Sequence, residues 1–98
     1  MHRDVARRLA ELYDEPFGGK PQGRYRVASK LMRELAGRRR LYEEDVVKIA
    51  RELLELGYVL IDMDSYYSVL SIGTVASYRR VNAEHLHRRV KDAEREPA

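Results

Sequence analysis

The stretch from Glu43 to Ile72 limits what this chain can fold into more than any other. EEDVVKIARELLEL is followed by Gly57, then by YVLIDM, a turn and YYSVLSI. Val46, Ile49, Ala50 and Leu53 fall on one helical face, with Val47, Leu54 and Leu56 beside them. Glu43, Glu44 and Asp45 occupy the first turn, where negative charge suits the helix dipole. Gly57 ends the helix. Tyr58 to Met63 is dense in β-formers, Asp64 and Ser65 signal a turn, and Tyr66 to Ile72 reads as the return strand, broken by Gly73. A helix that feeds straight into a hairpin leaves few architectures open.

Two further helices are predicted ahead of it. The first runs from Asp4, as N-cap, to about Tyr13, with Val5, Leu9 and Leu12 on one face. Asp14-Glu15-Pro16 stops it, because the residue before a proline avoids helical angles. FGGKPQG is a loop by composition, and its Phe17 is expected to tuck into the core. The second helix is predicted from about Arg24 to Ala36, with Val27, Leu31 and Leu35 as its apolar row and Ala28 and Met32 widening it. Gly37 suits a left-handed C-terminal stop. Leu41 and Tyr42 are expected to turn inward and anchor the next helix. After the hairpin, Thr74 reads as the cap of a short helix, VASYRR. Asn82 is a candidate cap for a last helix from Ala83 to about Arg95, with Leu86, Val90 and Ala93 in a row. The chain thus divides into a domain over 1–81 and a C-terminal helical extension over 82–98, whose last residues are expected to fray.

A chain of 98 residues with 44% hydrophobic content builds one modest core without staples. It has no cysteine, which excludes disulfides, thiolate zinc sites and thiol nucleophiles. No apolar run approaches the roughly 18 residues of a membrane span, and the N-terminus does not read as a signal peptide. A soluble, cytoplasmic protein with no membrane partner is expected. Tyrosine is over-used, seven against one Phe and no Trp, which suits the rim of a small core or an interface.

The order helix, loop, helix, turn, helix, two-stranded wing and C-terminal helix resembles a winged helix-turn-helix domain, most closely in RELLELGYVLIDMDSYYSVLSI. The resemblance covers about residues 4 to 80 and lies in architecture and hydrophobic pattern. It implies an α+β fold of three helices, a two-stranded β-hairpin wing and a C-terminal helix. It also implies DNA binding with the third helix in the major groove and the wing on the backbone. The fold hosts protein-interaction modules as well.

The distribution of charge bears on that choice. Residues 24–40 hold six Arg and one Lys against one Glu. Residues 43–56 hold four Glu and one Asp against one Lys and one Arg, and the wing tip carries Asp62 and Asp64. Three acids at the start of the third helix oppose base-edge contact, because that end would face phosphates. The basic cluster lies just before it. Arg24, Arg26, Lys30 and Arg33 occupy the part of the second helix not needed for the core. With Arg38, Arg39 and Arg40 they are expected to form one basic patch, aided by the dipole of that helix's N-terminus. The competing reading is a solvated helix face with a basic connector.

No catalytic constellation is visible, and no cofactor or metal is implied. Gly18-Gly19-Lys20 is followed by Pro21, so it departs from a phosphate-binding Walker loop. His85 and His87 stand about 200° apart around a helix and cannot share a metal as an isolated pair. Asp62 and Asp64 read as turn residues. Ser65, Ser68 and Ser71 lack a nucleophile motif.

The leading expectation is a small nucleic-acid-binding protein, with duplex DNA as the nucleic acid, in a regulatory or accessory role and not an enzyme. The alternative is a protein-interaction adaptor using Glu43, Glu44, Asp45, Tyr66 and Tyr67. The C-terminal helix either packs on its own domain or pairs with a second subunit in a homodimer, as the resemblance implies for regulators of this fold.

Overall fold

The computed structural model describes residues 1–95. Its elements are α1 (His2–Tyr13), β1 (Tyr25–Ala28), α2 (Ser29–Ala36), α3 (Glu43–Glu55), β2 (Tyr58–Asp62), β3 (Tyr66–Ser71), α4 (Ile72–Ala76) and α5 (Ala83–Arg95). The fold is α+β. The strands form one antiparallel sheet in the order β1-β3-β2.

The sheet corrects the two-stranded expectation, and the correction begins at Arg24. Residues 25–28 form a strand, with Tyr25 opposite Val69, Arg26 opposite Ser68 and Val27 opposite Tyr67. The predicted second helix therefore starts five residues late, at Ser29. Burial along β1 alternates, with Tyr25 and Val27 toward the core and Arg26 and Ala28 exposed, as a pleated strand requires. The apolar row moves with the helix start. Met32 is fully buried, whereas Leu31 is 54% exposed.

The core lies between one face of the sheet and the helices. Val5, Ala6 and Leu9 of α1, Met32 of α2 and Ile49 and Leu53 of α3 meet Tyr67 and Val69 of β3. Tyr25, Val27, Tyr58 and Leu60 pack around them. Fully burying one such aliphatic side chain stabilises the fold by roughly 1.5–3 kcal/mol. The Tyr25 hydroxyl, inside this rim, donates to the Leu9 carbonyl at 2.6 Å and ties β1 to α1. Phe17 does not tuck in. It is largely exposed, edge-on to the Tyr25 ring at 5.6 Å.

Helix ends follow local chemistry. α1 begins at His2, so Asp4 lies in its first turn and is not its cap. Gly37 (φ 67°) ends α2 in the left-handed region, as predicted, and Gly57 (φ 98°) makes the turn from α3 into β2. At the start of α3, the Asp45 carboxylate accepts from the Tyr42 backbone N–H at 3.2 Å. It also meets the His2 ring at 2.9 Å, joining the N-termini of α1 and α3. Tyr42 itself is exposed, contrary to the inward turn expected of it, while Leu41 is half-buried against the core. α4 starts earlier than predicted: the Ser71 hydroxyl accepts from the Thr74 N–H at 3.1 Å, and Gly73 lies within the helix.

Asn82 caps α5, its side-chain oxygen accepting from the His85 N–H at 2.8 Å. Every residue from Ala76 to Arg95 is exposed. The radius of gyration, 17.3 Å against about 13 Å for a compact domain of this length, reflects an arm that stands off the body. The end expected to fray lies outside the described residues from 96 onward. Among the described residues, no helix is long and apolar enough to cross a membrane.

Candidate nucleic-acid interface

The basic side chains picked out in the sequence are distributed over a strand, a helix and a turn. Arg24 precedes β1 and Arg26 lies on it, pointing away from the core. Lys30 and Arg33 are on α2. Arg38, Arg39 and Arg40 form the turn into α3, entered from Gly37 with the Arg38 N–H donating to the Arg33 carbonyl at 2.9 Å.

These residues do not make one continuous patch. Arg33, Arg39 and Arg40 line a cleft of about 430 Å³ with Ser29, Leu41 and the hairpin residues Asp62, Asp64 and Tyr67. Arg24 and Arg26 line a second one, of about 260 Å³, with Lys20 and Phe17 of the preceding loop. Lys30 and Arg38 line neither. The helix dipole expected beside Arg24 and Arg26 is displaced, because α2 begins only at Ser29 and the Ser29 N–H is already donated to the Ser65 carbonyl at 3.0 Å.

The hairpin tip is a built turn. The Asp64 N–H donates to Asp62 Oδ1 at 2.9 Å, and Asp64 adopts φ 73°, a conformation Asp tolerates. The Ser29 hydroxyl donates to the Asp64 carbonyl at 2.7 Å, fastening this turn to the start of α2. Two carboxylates thereby face three guanidinium groups across the larger cleft, yet none of these groups is in ion-pair contact. Among the described residues, ion pairs are confined to His2–Asp45, Arg3–Glu52 and Arg88–Glu84. Among the described residues, none of the seven basic candidates has a carboxylate at ion-pair distance. Arg26 lies 5.6 Å over the Tyr66 ring, which orients its guanidinium on the outer face of the sheet.

The residues of the adaptor reading are placed less uniformly. Glu43 and Glu44 are exposed at the start of α3. Asp45 is held by His2 and by the Tyr42 N–H, and these bonds lower its pKa from the usual carboxylate value. Tyr66 is half-buried beneath Arg26. Tyr67 is 7% exposed and belongs to the core, where burial, and then the neighbouring Asp62, raises its pKa. Sequence reasoning placed Val47 and Leu54 beside the buried row of α3 but gave them no functional part; both are half exposed. The signal was available, since both lie off the buried row of that helix.

Among the described residues, no three His, Asp or Glu side chains are arranged to hold a metal. Comparison with known protein families, curated proteins and solved structures returns no match.

Proposed function

We propose that this chain is a winged helix-turn-helix protein that binds duplex nucleic acid, DNA foremost, through phosphates, in a regulatory or accessory role. Two helices joined by the Arg38–Arg40 turn and followed by a hairpin are the arrangement that the sequence resemblance implies. One observation supports the binding reading: among the described residues, none of the seven basic side chains from Arg24 to Arg40, on and just ahead of β1, on α2 and in the turn, has a carboxylate at ion-pair distance. Arginine in that state suits phosphate oxygens, whose contacts position a protein on a duplex without reading sequence. Glu43 and Glu44 at the exposed end of α3, and the aspartates of the wing tip, argue against that helix and wing as the reading surface.

The test is fluorescence anisotropy with a random-sequence duplex at low salt. Reversal of Arg39 and Arg40 to Glu is expected to weaken binding by roughly tenfold or more, whatever the sequence. Equal binding by the reversed protein overturns the reading. A second reading, a protein-facing surface on α3, is favoured by the exposure of Val47 and Leu54 beside its acids.

A further inference from the structure

Phe17 is the one phenylalanine of the chain, and its own backbone holds it at the surface. The Phe17 N–H donates to the Lys20 carbonyl and the Lys20 N–H to the Phe17 carbonyl, each at 3.1 Å. Gly18 and Gly19 between them have φ of 60° and 78°, positive at both positions as the tightest hairpin loops require. Residues paired in this way share a face, so the Lys20 side chain lies on the same side as the Phe17 ring. The Gly23 N–H donates to the Tyr13 carbonyl at 2.9 Å and ties the loop to the end of α1. Phe17 is nevertheless 43% exposed. Tyr25, its one aromatic neighbour among the described residues, meets it nearly perpendicular, at 80°, and does not stack on it. The surroundings of the ring are basic. Lys20, Arg24 and Arg26 line the groove of about 260 Å³ that Phe17 borders, against the single acid Glu15. Among the described residues, none of the three has a carboxylate at ion-pair distance. Arg24 and Arg26 also line a groove of about 290 Å³ that reaches Ser68, the partner of Arg26 on β3.

We infer that this loop binds an unpaired nucleotide of single-stranded DNA, with one base stacked on the Phe17 ring and the neighbouring phosphates on Lys20, Arg24 and Arg26. A cationic groove that carries an aromatic ring holds single strands in this way without reading their sequence. The mixture of groups favours this occupant. A purely apolar partner would leave three cations unanswered, and phosphate alone would leave the ring in water. A nucleotide answers both, because it joins an anion to a flat apolar face. It must be unpaired, since a duplex covers the faces of its bases with neighbouring pairs. An extended strand also suits two grooves that share Arg24 and Arg26, because successive phosphates then meet the same pair of guanidinium groups from either side. The inference rests on the nucleic-acid reading for its class of ligand. It uses a different surface from the Arg38–Arg40 turn, so the two fail separately.

The chain has no tryptophan, so Phe17→Trp supplies a sole indole, whose emission falls when a base stacks on it. The titrant is a short oligothymidylate strand at low salt. Emission is expected to fall to saturation with this strand and to stay unchanged with the same sugar-phosphate backbone stripped of its bases. By anisotropy, Phe17→Ala and Phe17→Leu are each expected to bind the strand at least about fivefold more weakly than the wild type, with helical circular dichroism retained and duplex affinity unchanged. Arg24→Ala with Arg26→Ala is expected to make the slope of log K against log salt shallower by up to about 1.4. The quenching is expected to survive Arg39→Glu with Arg40→Glu. Quenching by the strand in a protein that binds no duplex supports this inference and overturns the reading of the turn. Undetectable binding of the strand by the wild type overturns the inference, as does an indole left unquenched on binding, equal quenching by the base-free backbone, or a Phe17→Leu variant as tight as the wild type. Stronger quenching by an intact duplex than by the strand makes the ring a wedge between paired bases and also overturns it.

Discussion

The Ser29 hydroxyl reaches across 35 positions of sequence to donate to the carbonyl of Asp64 at 2.7 Å. With the Ser29 N–H on the Ser65 carbonyl, it fixes the hairpin turn against the corner where β1 becomes α2. That corner sets the cleft in which Arg33, Arg39 and Arg40 face Asp62 and Asp64. Ser29→Ala removes the side-chain bond and is expected to lower unfolding free energy by about 1 kcal/mol, read from urea denaturation.

The His2–Asp45 contact makes stability fall on the acid side. Asp45 has a pKa below its ordinary 3.8, chiefly because the His2 ring and then the Tyr42 N–H bond its carboxylate. A carboxylate of lowered pKa adds stability that is present above the unfolded value and lost as pH falls through the folded one. The loss therefore lies below about pH 4. Asp45→Asn is expected to flatten the fall of the urea midpoint over that range. An unchanged acid profile would dissociate the contact from stability.

Tyr25 governs the opposite limb. Burial, with Glu15 adding to it, raises its pKa above the ordinary 10.0. A hydroxyl held neutral in this way adds stability that is complete below about pH 10 and declines as pH rises toward the folded value. Tyr25→Phe loses the bond to Leu9 and is expected to cost about 1 kcal/mol at neutral pH, with a shallower decline in alkali. Urea titrations at neutral and alkaline pH measure both.

Leu31 and Leu53 separate an outer from an inner position. Leu53 is fully buried between α1 and the sheet, and Leu31 is largely exposed on α2. Leu53→Ala is expected to cost about 2–5 kcal/mol, and Leu31→Ala to stay within about 0.5 kcal/mol of wild type. A large loss at Leu31 would restore the helix predicted to begin at Arg24, in which Leu31 faces the core.

That last contrast marks where the sequence was legible. α1, α3 and the hairpin follow from periodicity over many residues, and Gly37 and Gly57 fall where the backbone needs positive φ. β1 was hidden because Val27, Leu31 and Leu35 are spaced as a helix would space them, while the strand is only four residues long and joins α2 without a turn. Its own signal was the alternation of Arg24, Tyr25, Arg26 and Val27. The basic cluster was legible as composition but not as geometry. Moving Arg26 onto a strand, with Arg24 just ahead of it, separates the two from Arg33, Arg39 and Arg40, and no local pattern announces that divide. His2 with Asp45 was equally invisible, since a contact across 43 positions leaves no mark on either neighbourhood.

The central claim is that the guanidinium groups of the α2–α3 turn meet phosphates. The most direct measurement is the salt dependence of binding to a random-sequence duplex, for the wild type and for Arg38→Ala, Arg39→Ala and Arg40→Ala combined. Each phosphate contact adds about 0.9 to the slope of log K against log salt. The triple variant is expected to bind more weakly to every duplex, with a slope shallower by up to about 3. Undetectable binding by the wild type at low salt, or the same affinity and slope in both proteins, would contradict the account.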